Sequence, residues 1–345
     1  MRAQWPPRST SGMTTLLEPV PIHAGGDFSG LTAADAARVA AAISAERAPS
    51  TLASYASAWR LFVRWCADRG LASLPADPAT VCAYLAERAD RGLVNATITA
   101  CCAAIRYEHQ RAGAPDPIAD PTVGRVRRGL RRVLGVAPRR QARALLTEDI
   151  RSMVDHIDRR TAAGARDRAL LPLGFAPALR RSELAELALD DVLFVRDGVL
   201  LNIRRSKGDP DAEGQVVAVA AGSHAGTDPV AELRYWIAVR GTRPGNVFTR
   251  VRSNGRATGR ATVERISGHT VRCIIRTRAA AAGIENERVS GHSLRAGHAT
   301  AAALAGVPLD RIAAQTRHKE ISTLVRHYIR PLDAMANTSS RSLGL

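Results

Sequence analysis

The hydrophobic positions between residues 31 and 135 recur at helical spacing. The clearest run places six hydrophobic residues on one face of a helix: Leu52, Tyr55, Trp59, Phe62, Val63 and Cys66. Thr32 and Asp77 are residues that can cap the starts of two other helices, and glycines follow several of the predicted helix ends. Residues 29–135 are therefore predicted to form an all-α domain of four or five short helices.

A different pattern begins at Thr147 and mixes helices with strands. Asp197-Gly198 lies between two apolar, β-branched runs, 192–196 and 199–205, which is the strongest hairpin signal in the chain. Residues 215–221 form a third predicted strand. Predicted helices cover 147–161, 166–176, 181–189, 228–240, 261–282, 293–305, 309–316 and 320–329. Residues 147–333 are thus predicted to be an α+β domain, mostly helical, with a small antiparallel sheet.

Three segments show no such pattern. Residues 1–28 are rich in Pro, Gly, Ser and Thr and are predicted to be a disordered tail. Residues 136–146 are predicted to link the two domains, and residues 334–345 to be a C-terminal tail. No stretch of 18 apolar residues occurs, and the N-terminus has no apolar run followed by a cleavage site. We therefore expect a cytoplasmic protein that does not bind membranes.

The charge balance indicates a polyanionic partner. Lys and Arg number 49 against 32 Asp and Glu, which gives a net charge of +17, and the pI is near 11.0. Nucleic acid is the expected partner, because we find no basic amphipathic segment of the kind that binds anionic membranes. The aromatic content of 4% disfavours base-stacking surfaces for single strands, so double-stranded DNA is favoured.

Much of this charge is concentrated near the predicted linker. Eight arginines lie between residues 121 and 143, namely Arg125, Arg127, Arg128, Arg131, Arg132, Arg139, Arg140 and Arg143. No acidic residue interrupts the run after Pro121, although exposed helices normally interleave acids with bases. We predict that these arginines contact the DNA backbone; a solvated surface helix is the alternative.

The five cysteines indicate neither disulfides nor zinc. They have no CxxC spacing and lie in apolar helical stretches, which is typical of reduced core residues. We predict no metal and no cofactor.

Two short segments carry candidate chemistry. His292 and Arg295 are three residues apart on one face of a starting helix, where two donors can bind a phosphate. Arg180 follows an apolar stretch, and Glu183 lies three residues later, where its carboxylate can hold the guanidinium.

The order of the polar residues along the chain is similar to a known signature. Arg180, Lys207, His292, Arg295, His318 and Tyr328 match the signature of the tyrosine recombinase (phage integrase) family. Segments 247–255, 290–297 and 328–333 resemble the Cre-like members most closely. The resemblance covers roughly residues 30–335. It implies a C-shaped clamp in which a helical core-binding domain and a catalytic domain enclose duplex DNA.

The resemblance also implies a role for each residue in a transesterification. Tyr328 would attack a phosphate and form a covalent 3′-phosphotyrosine, so that rejoining needs no ATP. Arg180 and Arg295 would clamp the phosphate oxygens, as the forked guanidinium allows. Glu183 would orient this clamp.

The remaining residues would supply hydrogen bonds and protons. His292 and His318 would bond to the phosphate, and His292 would help to take the tyrosine proton. Lys207 would be the general acid for the leaving 5′-oxygen, or else a plain phosphate contact. His318 lies ten residues before Tyr328, whereas the family spacing is nine, which would select Lys319. We favour His318.

The sequence therefore predicts a site-specific DNA recombinase. It would act on a short inverted-repeat site, as a homotetramer on two such sites. A type IB topoisomerase and a DNA-binding protein without catalysis remain as alternatives. The target sequence, any accessory proteins, and the choice between integration, excision and resolution are not predicted.

Overall fold

The computed structural model of the chain describes residues 32–136, 141–206, 213–252, 259–285 and 287–329. The predicted tails, 1–28 and 334–345, lie outside these ranges. The described residues fall into two compact units that divide between residues 139 and 140. In the described ranges, no helix is both long enough and apolar enough to span a membrane.

The first unit is helical, as predicted. Its helices are α1 (Ala33–Ser44), α2 (Pro49–Ala67), α3 (Pro78–Asp90), α4 (Asn95–Arg111) and α5 (Pro121–Leu134), with a 3₁₀ turn at Pro117–Ala119. Asp77 and Asp120 cap α3 and α5, because each carboxylate accepts a backbone N–H two residues later at 2.7 Å. Proline occupies the first position of both helices, where its missing N–H costs nothing. Phe62, Trp65 and Tyr84 pack as an aromatic cluster in the core.

The second unit is mostly helical with two small antiparallel sheets. Its helices are α6 (Thr147–Asp155), α7 (Ala162–Phe175), α8 (Arg181–Glu186), α9 (Pro229–Arg240), α10 (Gly268–Ala281), α11 (Ser293–Leu304), α12 (Leu309–Thr316) and α13 (Ile321–His327), with a 3₁₀ turn at Leu189–Asp191. Its strands are β1 (Val192–Val195), β2 (Gly198–Ile203), β3 (Gln215–Ala220), β4 (Thr249–Arg252) and β5 (Arg260–Arg265). One sheet has the order β1-β2-β3, and β4 pairs with β5.

The predicted hairpin is present, with its turn shifted by one residue. Val195 pairs with Gly198, so the loop residues are Arg196 and Asp197 rather than Asp197 and Gly198. Gly198 is the first residue of β2 and pairs with Ala220 on β3. Only glycine fits here, because a Cβ at this position would lie 2.1 Å from the carbonyl oxygen of Val219. The glycine thus allows close strand pairing instead of forming the turn.

The prediction of one helix over 261–282 was wrong at its start. Residues 260–265 form β5, and α10 begins only at Gly268, where Ser267 caps it through the backbone N–H of Thr270 at 3.1 Å. β5 is largely exposed, so its residues do not show the alternation of a half-buried strand. Pairing with β4 therefore determines its conformation.

The start of the second unit includes part of the predicted linker. Leu145 is fully buried in the core, and its backbone N–H donates to the carbonyl of Ser293 at 3.1 Å. The backbone N–H of Arg143 donates to the carbonyl of Arg288 at 3.0 Å. A Cβ at Gly297 would lie 1.8 Å from the Leu145 carbonyl oxygen, so α11 contacts this segment backbone to backbone. The domain bounds drawn from the sequence remain a prediction, but these residues pack within the second unit.

Candidate active site

Three segments that are distant in sequence meet in the second unit. They are the loop before α8, the first turn of α11, and the connection from α12 to α13. The Arg295 guanidinium joins all three, because Nη1 donates to the carbonyl of Ala178 at 2.8 Å and Nη2 donates to the carbonyl of Thr316. The last segment is also tied to α11, since Thr300 Oγ1 donates to the carbonyl of Tyr328 at 3.1 Å.

Arg180 and Glu183 pair as the sequence predicts. Arg180 Nη1 donates to Glu183 Oε1 at 2.7 Å, and the backbone N–H of Arg180 donates to Glu183 Oε2 at 2.8 Å. The carboxylate thus caps α8 and holds the guanidinium of the capping residue. Ser206 Oγ accepts a further bond from Arg180 Nη1 at 2.5 Å. Lys207, the next residue, lies outside the described residues.

A second arginine, which sequence reasoning did not select, binds the same carboxylate. Arg317 Nη2 donates to Glu183 Oε2 at 2.5 Å, and Arg317 Nη1 donates to the carbonyl of Pro177 at 3.3 Å. Burial raises the pKa of Glu183, but the attraction of Arg317 and Arg180 outweighs burial, so the pKa lies below its ordinary value. Glu183 is therefore an ionised carboxylate that two guanidiniums share.

Arg295 has no carboxylate of its own. Its side chain is fully buried, and its Nε has no hydrogen-bond partner among the described residues. Burial lowers the pKa of Arg295 to about 10, and repulsion by Arg180 and Arg317 contributes to this shift. The group of Arg180, Arg295 and Arg317 thus carries three positive charges against the single negative charge of Glu183. A cluster with this excess of positive charge favours the binding of an anion.

His318 is held in one tautomer by Thr316. The hydroxyl of Thr316 donates to the carbonyl of Ile312 at 2.6 Å, so its oxygen is free to accept from His318 Nδ1 at 2.7 Å. His318 Nε2 then carries the lone pair and accepts from Arg295 Nη2 at 3.3 Å. Burial and the nearby Arg295 lower the pKa of His318 to about 4, so the ring is neutral at physiological pH. This arrangement supports Arg295 and differs from the phosphate bond that the resemblance implies for His318.

Tyr328 lies at the end of α13, next to this cluster. The centroid of the Tyr328 ring is 4.5 Å from the centroid of the His318 ring and 5.4 Å from the Cζ of Arg295. The structure therefore brings together Tyr328, Arg295 and His318, as the sequence signature predicts. Lys319 is exposed.

The unusual spacing before Tyr328 coincides with a left-handed residue. Arg317 ends α12 with a φ of 57°, and the backbone N–H of His318 donates to the carbonyl of Ala313 at 3.0 Å. The chain thus turns sharply between Thr316 and His318. His292 lies at the other side of the signature, exposed at the N-terminus of α11 and one turn before Arg295.

The predicted DNA-binding arginines fall into separate groups. Arg125, Arg128, Arg131 and Arg132 are exposed on α5, and Arg127 is half-buried. In the described ranges, none of these five arginines forms an ion pair, whereas Arg143 pairs with Asp149 at 3.1 Å. Arg139 and Arg140 lie outside the described residues.

Comparison with known proteins shows the family. Residues 143–335, more than half of the chain, match the model described as the Phage integrase family. The chain belongs to this family. It is also 32% identical over 289 residues to an "Integrase/recombinase xerD homolog" from Selenomonas ruminantium, and the match covers 82% of each protein. This integrase is therefore a tyrosine-type site-specific recombinase.

Solved structures of low sequence identity share its fold. A lambda integrase tetramer bound to a Holliday junction is similar with a TM-score of 0.57 at 17% identity, over 83% of this chain and 74% of that chain. The XerH site-specific recombinase bound to palindromic difH substrate is similar with a TM-score of 0.55 at 15% identity, over 78% and 71% of the two chains. The mostly helical architecture with small antiparallel sheets is thus the fold that the sequence predicted.

Proposed function

We propose that this integrase cuts and rejoins duplex DNA through a covalent bond between Tyr328 and a 3′ phosphate. The observation that carries the proposal is the position of Tyr328, whose ring lies 4.5 Å from the His318 ring and 5.4 Å from the Cζ of Arg295. Phosphoryl transfer needs a nucleophile and a cationic environment that stabilises the oxygens of the phosphate. The phenol and the arginine cluster together provide both.

The phosphate would lower the excess positive charge of the site. Arg180, Arg295 and Arg317 carry three positive charges against the one negative charge of Glu183, and a phosphodiester would add a second negative charge. Arg295 Nη1 uses one hydrogen on the Ala178 carbonyl and carries a second, Nη2 uses both of its hydrogens on Thr316 and His318, and Nε has no partner among the described residues. We assign the remaining hydrogens of Arg295 and Arg180 to the non-bridging oxygens.

In the proposed reaction, the Tyr328 oxygen bonds to phosphorus while the bond from phosphorus to the 5′-oxygen breaks. Lys207 protonates the departing 5′-oxygen. His292 takes the phenol proton, because the low pKa of His318 makes it a poor base and its Nε2 accepts from Arg295. One phosphodiester is exchanged for another, so the reverse attack by a 5′-hydroxyl reseals the strand without ATP.

The α5 arginines would contact the backbone of the duplex. One active site cuts one strand, so exchange between two duplexes needs four copies on two inverted-repeat sites. The similar lambda integrase was solved as a tetramer on a junction. We also propose that, within the family, this chain is most similar to the Cre-like recombinases. The resemblance to Cre-like recombinases implies that segment 332–345 of one copy contacts a neighbouring copy.

The test is to trap the covalent product. Duplexes selected by the protein from a random pool are nicked, and a DNA adduct is sought on a denaturing gel. Wild type is expected to form the adduct, and Tyr328→Phe to form none while binding the same DNA equally well, since only the phenol oxygen is lost. An adduct that persists in Tyr328→Phe contradicts the assignment. Binding without any wild-type adduct indicates a non-catalytic DNA-binding protein, and strand relaxation without exchange between two sites indicates a topoisomerase.

A further inference from the structure

We infer that Arg317 is a positioning residue that occupies Glu183 and thereby leaves the Arg180 guanidinium available for the phosphate. The inference rests on the proposed function, in which Arg180 binds the reacting phosphate. It concerns a residue outside the six-residue signature.

The geometry at Glu183 carries the argument. Its Oε2 accepts from Arg317 Nη2 at 2.5 Å and from the Arg180 backbone at 2.8 Å. Only Oε1 accepts from the Arg180 guanidinium, at 2.7 Å. Guanidinium and carboxylate bind most strongly through two parallel hydrogen bonds. Arg317 blocks that arrangement, so the Arg180 guanidinium forms a single bond to Glu183, through Nη1, which also donates to Ser206, and its Nη2 and Nε remain for the phosphate.

Burial makes this competition strong. The Arg317 side chain is 4% exposed and that of Glu183 is 1% exposed, so water competes little for either charge. Without Arg317, the buried carboxylate would have Arg180 as its one remaining guanidinium partner in the described cluster. Arg180 would then turn its fork toward Glu183 and away from the phosphate.

The backbone of Arg317 is consistent with a specific role for its side chain. Its φ of 57° lies in the left-handed region, which residues with a Cβ adopt at a cost in free energy and glycine adopts freely. The chain nevertheless has an arginine here, and its guanidinium reaches Glu183, 134 residues earlier in sequence. The next residue, His318, contacts Tyr328. Arg317 therefore connects the loop that carries Arg180 to the segment that carries the nucleophile.

The substitution Arg317→Gly tests the inference, because it removes the guanidinium and relieves the backbone, so that the fold is retained. We expect adduct formation on the selected nicked duplex to slow by about 10- to 100-fold, less than the loss of a direct phosphate donor. The affinity for the same duplex should change little.

The second variant separates positioning from a general structural role. Adding Glu183→Gln to Arg317→Gly removes the negative charge that attracts Arg180, so the double variant is expected to form adduct faster than Arg317→Gly alone. A structural role predicts that the double variant is slower than either single variant, and that result would overturn the inference. The matched control is Arg168→Gln, which breaks another buried pair, with Glu232 at 2.9 Å. It should lower stability without slowing adduct formation.

A crystal structure of Arg317→Gly decides the inference independently of catalysis. The Arg180 guanidinium is expected to form two hydrogen bonds with Glu183, and an unchanged Arg180 would overturn the inference. Wild type and Tyr328→Phe are assayed alongside. If wild type forms no adduct, the proposed function fails, whereas the crystal structure still tests the contact between Arg180 and Glu183.

Discussion

Two groups of arginines, one in each unit of this integrase, lie in opposite environments. On α5 of the helical unit, Arg125, Arg128 and Arg132 lie in water on one face of the helix, at positions i, i+3 and i+7. In the second unit, Arg295 and Arg317 are buried among backbone carbonyls and one carboxylate. Exposed cations are solvated at little cost and act over roughly 10 Å at 0.1 M salt. Buried cations are costly to desolvate and act only on a group in contact.

The two environments suit different tasks: exposed arginines suit the attraction of DNA, and buried arginines suit contact with a single reacting group. The α5 arginines can attract the backbone of any duplex, because phosphates look alike in every sequence. Under the proposed function, the buried cluster would act only on a phosphate that enters the site in one orientation. Substitutions in the two units should therefore change different measured quantities.

Of the substitutions that test this comparison, Lys207→Ala is expected to have the largest effect. It should lower the rate of DNA cleavage and leave the affinity for DNA unchanged. Lys207→Ala should slow cleavage of ordinary DNA by about 10²–10⁴-fold, as the loss of a general acid does. A substrate whose bridging 5′-oxygen is sulfur needs no protonation of its leaving group, so the same variant should cleave it at nearly the wild-type rate.

Lys319→Ala is the matched control, since these two are the only lysines in the chain. It should cleave both substrates normally. Equal impairment of Lys207→Ala on both substrates would instead make Lys207 a phosphate contact and weaken the separation between the units.

A smaller effect is expected on α5, in affinity rather than rate. Replacing Arg125, Arg128 and Arg132 by Gln should weaken binding to selected and random duplexes alike. The slope of log affinity against log salt should fall by roughly 0.9 for each phosphate contact that is lost.

The control for this prediction removes three arginines of the same unit that already have carboxylate partners. Arg38, Arg91 and Arg106 pair with acids at 2.5–2.8 Å. Changing these three to Gln alters the net charge equally and should alter the salt slope much less. Equal losses in the two triple variants would show that net charge, rather than the α5 face, determines the affinity.

The smallest effect concerns stability at low pH. Burial and the nearby Arg295 lower the pKa of His298 and of His318 to about 4, whereas an unfolded histidine titrates near 6.5. As the pH falls from about 6.5 to about 4, the unfolded chain binds more protons than the folded chain, so the free energy of unfolding decreases. His298 alone should account for a loss on the order of 2 kcal/mol by pH 5.

Urea unfolding at about pH 7.5 and about pH 5 measures this loss. His298→Gln should show a smaller difference between the two conditions. An undiminished difference in that variant would assign the pH dependence to other groups.

The sequence predicted those parts of the site that local spacing determines. Glu183 binds Arg180 because a spacing of three residues at the start of a helix brings the two side chains together. α12 covers 309–316, as its apolar spacing predicts. The ordered signature also selected Tyr328 and His318, whose rings are in contact.

What sequence reasoning missed depends on contacts between distant segments. Arg317 follows a helix end and looks like one more basic residue, and its partner Glu183 is far away in sequence. The signal that could have identified Arg317 was its position directly before His318, a candidate catalytic residue. β5 was missed for a similar reason, because its exposed residues carry no core-facing pattern and its pairing with β4 determines its structure.

The backbone contact between Leu145 and α11 has a consequence for protein engineering. A chimaera that joins this catalytic unit to a foreign DNA-binding domain needs its junction before residue 141. A junction at Thr147 would remove the buried Leu145 and its bond to Ser293. It would also expose the face of Gly297 on the helix that carries Arg295. Modular exchange of target specificity thus depends on treating the few residues before α6 as part of the enzyme, although in sequence they read as a spacer.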